Sequence, residues 1–175
     1  DAGNPALNEG TSGIGFRKTG DGTLITAKNH KFTGVLNVDA GTLQLGTGFN
    51  NGMVGGGTAR YFTSDAVVAS GAKLKFFKNL DNEQVITSSI SGAGTIEIDA
   101  KARISGDLSG FSGTTDITNG SLELGDNATS GSLGGDVIIA SGAKLFVSRS
   151  DAYTFSGQIS GDGSLIQEGD NAGEA

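Results

Sequence analysis

Residues 67–76 read VVASGAKLKF, and residues 138–147 read IIASGAKLFV. Within them Ala69–Leu74 and Ala140–Leu145 are identical letter for letter. In each copy two β-branched residues lead into a small-residue segment around Gly71 or Gly142, and alternating apolar residues follow. The phrase reads as strand, tight corner, strand. Glycine accepts a corner conformation that side chains resist, and alternation gives one dry face and one wet face. Leu74 and Leu145 are then expected inside, with Lys73 and Lys144 in water. Recurrence at long range marks repeated geometry.

Other phrases keep nearly the same period. Gly20-Asp-Gly22-Thr-Leu24, Gly92-Ala-Gly94-Thr-Ile96 and Gly161-Asp-Gly163-Ser-Leu165 share one pattern at similar intervals. Ala40-Gly41-Thr-Leu43-Gln-Leu45-Gly46 returns as Asn119-Gly120-Ser-Leu122-Glu-Leu124-Gly125, after a wider interval than the others. An insertion around Ile104–Gly110 accounts for the excess in this reading. Aromatics join as Phe32-Thr-Gly34, Phe111-Ser-Gly113 and Phe155-Ser-Gly157. The chain is about two and a half copies of a unit of roughly 70 residues. The last copy runs out in EGDNAGEA.

Short alternating segments dominate, and helix periodicity is nearly absent. Strands are predicted at 23–27, 35–39, 42–46, 66–70, 73–77, 84–90, 95–99, 114–118, 121–125, 136–140, 144–148, 153–160 and 164–168. Asn119-Gly120 alone would suggest a hairpin, but the long period favours an all-β parallel coil. Each strand pairs with its counterpart one turn above, roughly 4.8 Å away. Leu43, Leu45, Leu74, Leu122, Leu124 and Leu145 stack inside. Two turns of a three-strand coil fit one unit. The expected organisation is a flank or frayed first coil at 1–15, the solenoid at 16–168, and the polar end of a truncated repeat at 169–175.

Composition narrows the function. The chain has 175 residues, with 31 Gly, one Pro and no Cys. Evenly spaced apolar groups argue against disorder despite the glycine. The missing Cys excludes disulfides and thiolate metal sites. A net charge of −7 without a basic cluster makes nucleic acid a poor partner. No apolar run approaches the length of a membrane-spanning helix. The chain begins with Asp rather than Met, which is expected of a processed or excised piece.

Taken in order, Gly-x-Gly-Thr-Leu, Phe-x-Gly and Gly-Thr-Leu-x-Leu-Gly across Gly20–Gly46, repeated across Gly92–Gly125, resemble the passenger-associated repeat of bacterial autotransporters. The resemblance covers most of residues 16–168. It implies a right-handed parallel β-helix, exported through the outer membrane of a Gram-negative bacterium and displayed at its surface. Such helices serve mostly as stalks or adhesive surfaces. The implied function is a non-enzymatic stalk or adhesin segment supporting display, adhesion or self-association. Its partners would be a host-surface or carbohydrate ligand, or a second copy. The alternative is a carbohydrate-binding or polysaccharide-degrading β-helix of tailspike or lyase type.

Little chemistry is on offer, and no catalytic, cofactor or metal residue is assigned. The single His, His30, sits in a polar turn, and no nucleophile and acid are spaced to join it. Glu97 and Asp99 alternate on one strand, so both lie on one face, about 6.5–7 Å apart. They form either an acid pair or, as favoured, a wet face balanced by Lys101 and Arg103. Asp21 and Asp162 lack the calcium nonapeptide around them. Gly-x-Gly here is no phosphate loop, because no helix and no Gly-Lys-[Ser/Thr] follow. Asn127-Ala-Thr129 matches a glycosylation sequon. Phe76 and Phe77 are neighbours, so one of them must leave the core. The longest irregular stretch, Phe49–Ser64, is the candidate binding loop, with Phe49, Tyr61 and Phe62 as its aromatic contacts.

Overall fold

A computed structural model describes residues 13, 15–27, 33–48, 61–78 and 83–168. Its strands, in chain order, are β1 (Phe16–Lys18), β2 (Thr23–Thr26), β3 (Leu36–Val38), β4 (Thr42–Gly48), β5 (Tyr61–Phe62) and β6 (Ala66–Val68). There follow β7 (Lys73–Lys78), β8 (Gln84–Ile86), β9 (Ile90–Gly92), β10 (Thr95–Ile104), β11 (Asp107–Leu108) and β12 (Thr114–Ala128). The last are β13 (Ser132–Leu133), β14 (Asp136–Ile139), β15 (Lys144–Arg149), β16 (Ile159–Gly161) and β17 (Ser164–Gln167). The described residues contain no helix, and their strand pairings are parallel.

The ladders define a β-solenoid of about 6 turns with three faces. The first face runs β1-β3-β6-β9. The second runs β2-β4-β7-β10-β12-β14-β16. The third runs β5-β8-β10-β12-β15-β17, because the long strands β10 and β12 turn a corner and serve two faces. Between them the register slips by one residue after Ile98. Asn119-Gly120 lies inside β12 at this corner, so it makes no hairpin.

Apolar side chains stack because in-register parallel pairing places like positions above one another. Leu43, Leu74, Ile96, Thr115 and Val137 form one inward column of the second face, and Leu45, Phe76, Ile98, Ile117 and Ile139 form another. On the third face Ala102, Leu122 and Leu145 stack, flanked by Ile86, Ile104 and Leu124. The six predicted inward leucines are all buried. Leu24 and Leu165 continue these columns in the outermost described coils and are 37% and 54% exposed.

The repeated phrase is a corner. Ala72 N–H donates to Ala69 O at 2.9 Å, and Ala143 N–H donates to Ala140 O at the same distance. Gly71 and Gly142 hold φ of 80° and 82°, as the third residue of a type II turn requires. The two copies nevertheless occupy different faces. Val67–Phe76 passes from β6 on the first face to β7 on the second. Ile138–Val147 passes from β14 on the second to β15 on the third.

Three ladder steps lead from Lys73 through Thr95 and Thr114 to Asp136, and Lys144 lies one face further on. The sequence period is thus three coils plus one face, not the two coils expected. Nor is Ile104–Gly110 an insertion: the coil from Thr95 to Thr114 is a short one and uses β11 as a rung. The wider interval arises between Thr42 and Lys73, which are register partners although far apart in the chain, so that a single coil takes up the extra residues.

Two predicted strands differ for local reasons. The segment 84–90 is divided into β8 and β9 by a corner without glycine. There the Thr87 and Ser88 hydroxyls donate to Phe62 O, and Ser89 N–H donates to Asp65 Oδ1. In 153–160 strand begins only with Ile159–Gly161. Side-chain bonding replaces the ladder upstream: the Tyr153 hydroxyl accepts from Leu133 N–H at 2.8 Å and donates to Leu133 O at 2.9 Å.

Candidate functional site

The densest charged cluster lies outside the second face, where β7, β10 and β12 place Lys75, Glu97 and Asp116 in one register column. Lys75 Nζ reaches Glu97 Oε1 at 2.7 Å and Asp99 Oδ2 at 3.1 Å. Lys73 binds the other Glu97 oxygen. The Lys75 ammonium also lies 5.0 Å from the centre of the Phe77 ring, which is the outward member of the Phe76–Phe77 pair. Asn119 donates to Asp99 at 3.3 Å. The cluster is a lattice of opposite charges shared by three coils.

This corrects the expected balance of charge. The partners of Glu97 and Asp99 come from the coil below, not from Lys101 and Arg103. Arg103 instead pairs Glu83 at 2.8 Å, and Lys101 is exposed. Lys73, expected in water, is half-buried by its pairing, whereas Lys144 is exposed. Neighbouring strands stand one ladder step apart, so cross-strand partners compete well with neighbours along the strand.

The electrostatics follow from the geometry. Burial pushes the Glu97 carboxyl up, but hydrogen bonds from Lys73 and Lys75, with their charges, outweigh it and hold its pKa below the ordinary value. Burial likewise depresses Lys75, and Glu97 and Asp99 more than restore it, leaving it raised. Asp116 is pushed up by burial and then by the negative charge of Glu97. A hydrolytic pair needs one carboxyl kept protonated and another free to attack or activate water. Glu97 is 8% exposed and saturated by two ammonium groups. Its arrangement ties coils together.

A second concavity, of about 420 Å³, lies beside Ser105, Asp107, Ser132, Arg149 and Tyr153. The Arg149 guanidinium donates to the carbonyls of Thr129, Ser130 and Gly131 and to both oxygens of Asp151, and it sits 4.7 Å over the Tyr153 ring. Asp107 accepts from the Ser132 hydroxyl and from Ser109, which holds its carboxyl at about 2. These groups are spent on closing a corner of the coil. Sequence reading missed them because Arg149, Asp151 and Tyr153 follow no repeat; the crowding of three polar side chains at one strand end was the available signal.

The predicted residues fall as follows. Gly20, Gly41, Gly46, Gly71, Gly92, Gly120, Gly125, Gly142 and Gly161 have positive φ at corners. Gly22, Gly34, Gly94, Gly113 and Gly163 do not. Gly94 and Gly163 sit where a side chain would strike the coil below. Phe111 is buried in the core. Of the candidate loop, Tyr61 is 42% exposed in β5, but Phe62 is wholly buried and packs edge-on against Phe76 with ring centres 5.5 Å apart. A ligand on the surface cannot touch Phe62, so alternation along β5 removes it from the predicted contacts. His30, Phe32 and Phe49 lie outside the described residues. Among the described residues no three His, Asp or Glu side chains converge on a metal position, and no helix is long and apolar enough to cross a membrane.

The fold defines a parallel β-solenoid whose polar and charged contacts are mostly internal ties. In comparison with known proteins, the chain is 29% identical over 178 residues to the adhesin BmaC autotransporter of Brucella suis biovar 1 (strain 1330), a match covering 90% of this chain. The chain spans 5% of that protein's length. No family model matches the chain, and neither does a solved structure. The similarity and the solenoid together fit an autotransporter passenger domain and support an adhesin-like passenger segment.

Proposed function

We propose that this chain is a non-enzymatic stalk and adhesive segment of an exported bacterial surface protein, with the solenoid proper at 16–168. The observation that carries this reading is the continuous second face: seven strands, β2 to β16, stacked in parallel. Such a ladder gives rigid reach from backbone pairing and apolar columns, with few specialised residues. The similarity to an autotransporter adhesin supports the outward location. Tyr61, 42% exposed on β5, is the aromatic this reading offers to a ligand.

Antibody against this segment is expected to label intact bacteria, and its in-frame deletion is expected to reduce adherence while the rest of the protein stays on the surface. Labelling only after permeabilisation would overturn display. Unchanged adherence after deletion would leave a stalk and remove the adhesive role. The polysaccharide-cleaving alternative is not favoured, because Glu97 is held ionised between two lysines.

A further inference from the structure

Most cations of the described residues are spoken for. Arg17, Lys73, Lys75, Arg103 and Arg149 pair with carboxylates. Lys18 donates to three carbonyls, and Lys78 is buried with a partner of its own. Two remain. Among the described residues, the side chains of Lys101 and Lys144 have neither a hydrogen bond nor an ion pair, and both residues are exposed.

They belong to one place. Lys101, Ser121 and Lys144 are register partners on three successive coils of the third face. Two ladder steps separate the lysines, roughly 9.6 Å along the solenoid axis. Between them lies a groove of about 430 Å³, bordered by Gly120, Gly142 and Phe146. The glycines leave the backbone bare, and Phe146 is half-buried with part of its ring open. Two outward carboxylates flank the groove: Asp99, two residues before Lys101 on β10 and tied to Lys75, and Glu123, in the adjacent column between Arg103 and Phe146.

The chemistry of the groove is specific. Two ammonium groups about a disaccharide apart suit two anionic groups on a short oligomer. A hydroxyl between them suits a polyol. A partly open aromatic beside bare backbone accepts the apolar face of a sugar ring. The −7 net charge of the chain disfavours polyanions at long range, but attraction at contact survives within a Debye length of about 8–10 Å.

We propose that Lys101, Ser121, Lys144 and Phe146 form a binding site for an acidic oligosaccharide, each ammonium taking one carboxylate or sulfate. This deepens the adhesive reading by naming a ligand class. Binding by the purified chain is independent of display and of cell adherence, so either can fail alone.

The test is titration of the 175-residue chain with a heparin tetrasaccharide, a hyaluronan tetrasaccharide, neutral dextran and a tetraglutamate peptide. One or both acidic sugars are expected to bind at a single, salt-sensitive site, and which one binds identifies sulfate or carboxylate as the group held. Lys101→Met with Lys144→Met is expected to weaken binding about tenfold or more at unchanged melting temperature, and Phe146→Leu to weaken it further. Dextran is expected not to bind. Failure of both acidic sugars, undiminished binding by the double variant, or tetraglutamate binding as tightly as the sugars would each overturn the proposal.

Discussion

Gly94 rests on Ala72 of the coil below. A Cβ built on Gly94 would stand 2.6 Å from the Ala72 carbonyl oxygen, which already accepts from Thr95 N–H at 2.9 Å. Gly163 repeats the relationship on Ala143, at 2.8 Å. The two recurrent phrases are therefore two halves of one contact: a Gly-x-Gly corner seated on an Ala-Ser-Gly-Ala corner.

Gly94→Ala is expected to destabilise the solenoid by about 1–3 kcal/mol or more, because backbone must move to admit the methyl. Gly22→Ala meets nothing within 4 Å and has no positive φ, so its effect is expected within about 0.5 kcal/mol. Denaturant midpoints compare them, and equal losses would show that the corners are not close-packed.

The Lys75–Glu97 pair is expected to shape stability against pH. Glu97 is depressed in the fold, so its contribution is present above its ordinary value of 4.5 and lost as pH falls through the lower folded value. Lys75 is raised, so its contribution is present below its ordinary value of 10.5 and lost as pH rises through the higher folded value. Between those limits Glu97→Gln is expected to cost about 1 kcal/mol or less, given the solvent around the lysines. A pH series of melts on both proteins measures it; an undiminished acid transition in the variant would assign that transition elsewhere.

Asp116 is expected to act in the opposite sense. Its carboxylate stacks directly on Glu97, and like charges across strands repel. With a raised folded value, its favourable state is the protonated one, present below the ordinary 3.8 and lost as pH rises. Asp116→Asn is expected to gain about 0.2–1 kcal/mol at neutral pH, with the gain vanishing in acid. A loss at neutral pH would mean that Lys73 holds Asp116 more strongly than Glu97 repels it.

Gln84 enters the core where leucines stand elsewhere. Its side chain is wholly buried, both amide atoms lack a hydrogen-bond partner, and it shares a column with Ala102 and Leu122. Gln84→Met, close in shape, is expected to stabilise by about 1–3 kcal/mol through removal of that desolvation cost. The midpoint of urea unfolding should rise at unchanged slope; a fall would reveal a partner for the amide.

Much of this was legible in the sequence. The alternation of Leu43 with Leu45 and of Leu122 with Leu124 marked the inward columns, and Gly71 and Gly142 marked the corners. The Glu97 environment was only half legible. Alternation put Glu97 and Asp99 on one outer face, but their lysines belong to the previous coil and become neighbours only through the ladder.

By itself, then, the sequence determined the local devices: where strands alternate, where the chain turns, and that coils stack in parallel. A corner is local physics, fixed by one glycine φ and one hydrogen bond across the turn. Tertiary structure alone decided on which face each corner falls, because that depends on every coil length before it, including the long coil from Thr42 to Lys73. It also decided the charge partners, the closure at Tyr153 and the burial of Gln84. For that reason one phrase, Ala-Ser-Gly-Ala-Lys-Leu, gives a lysine tied to Glu97 in its first copy and a free one at the groove in its second.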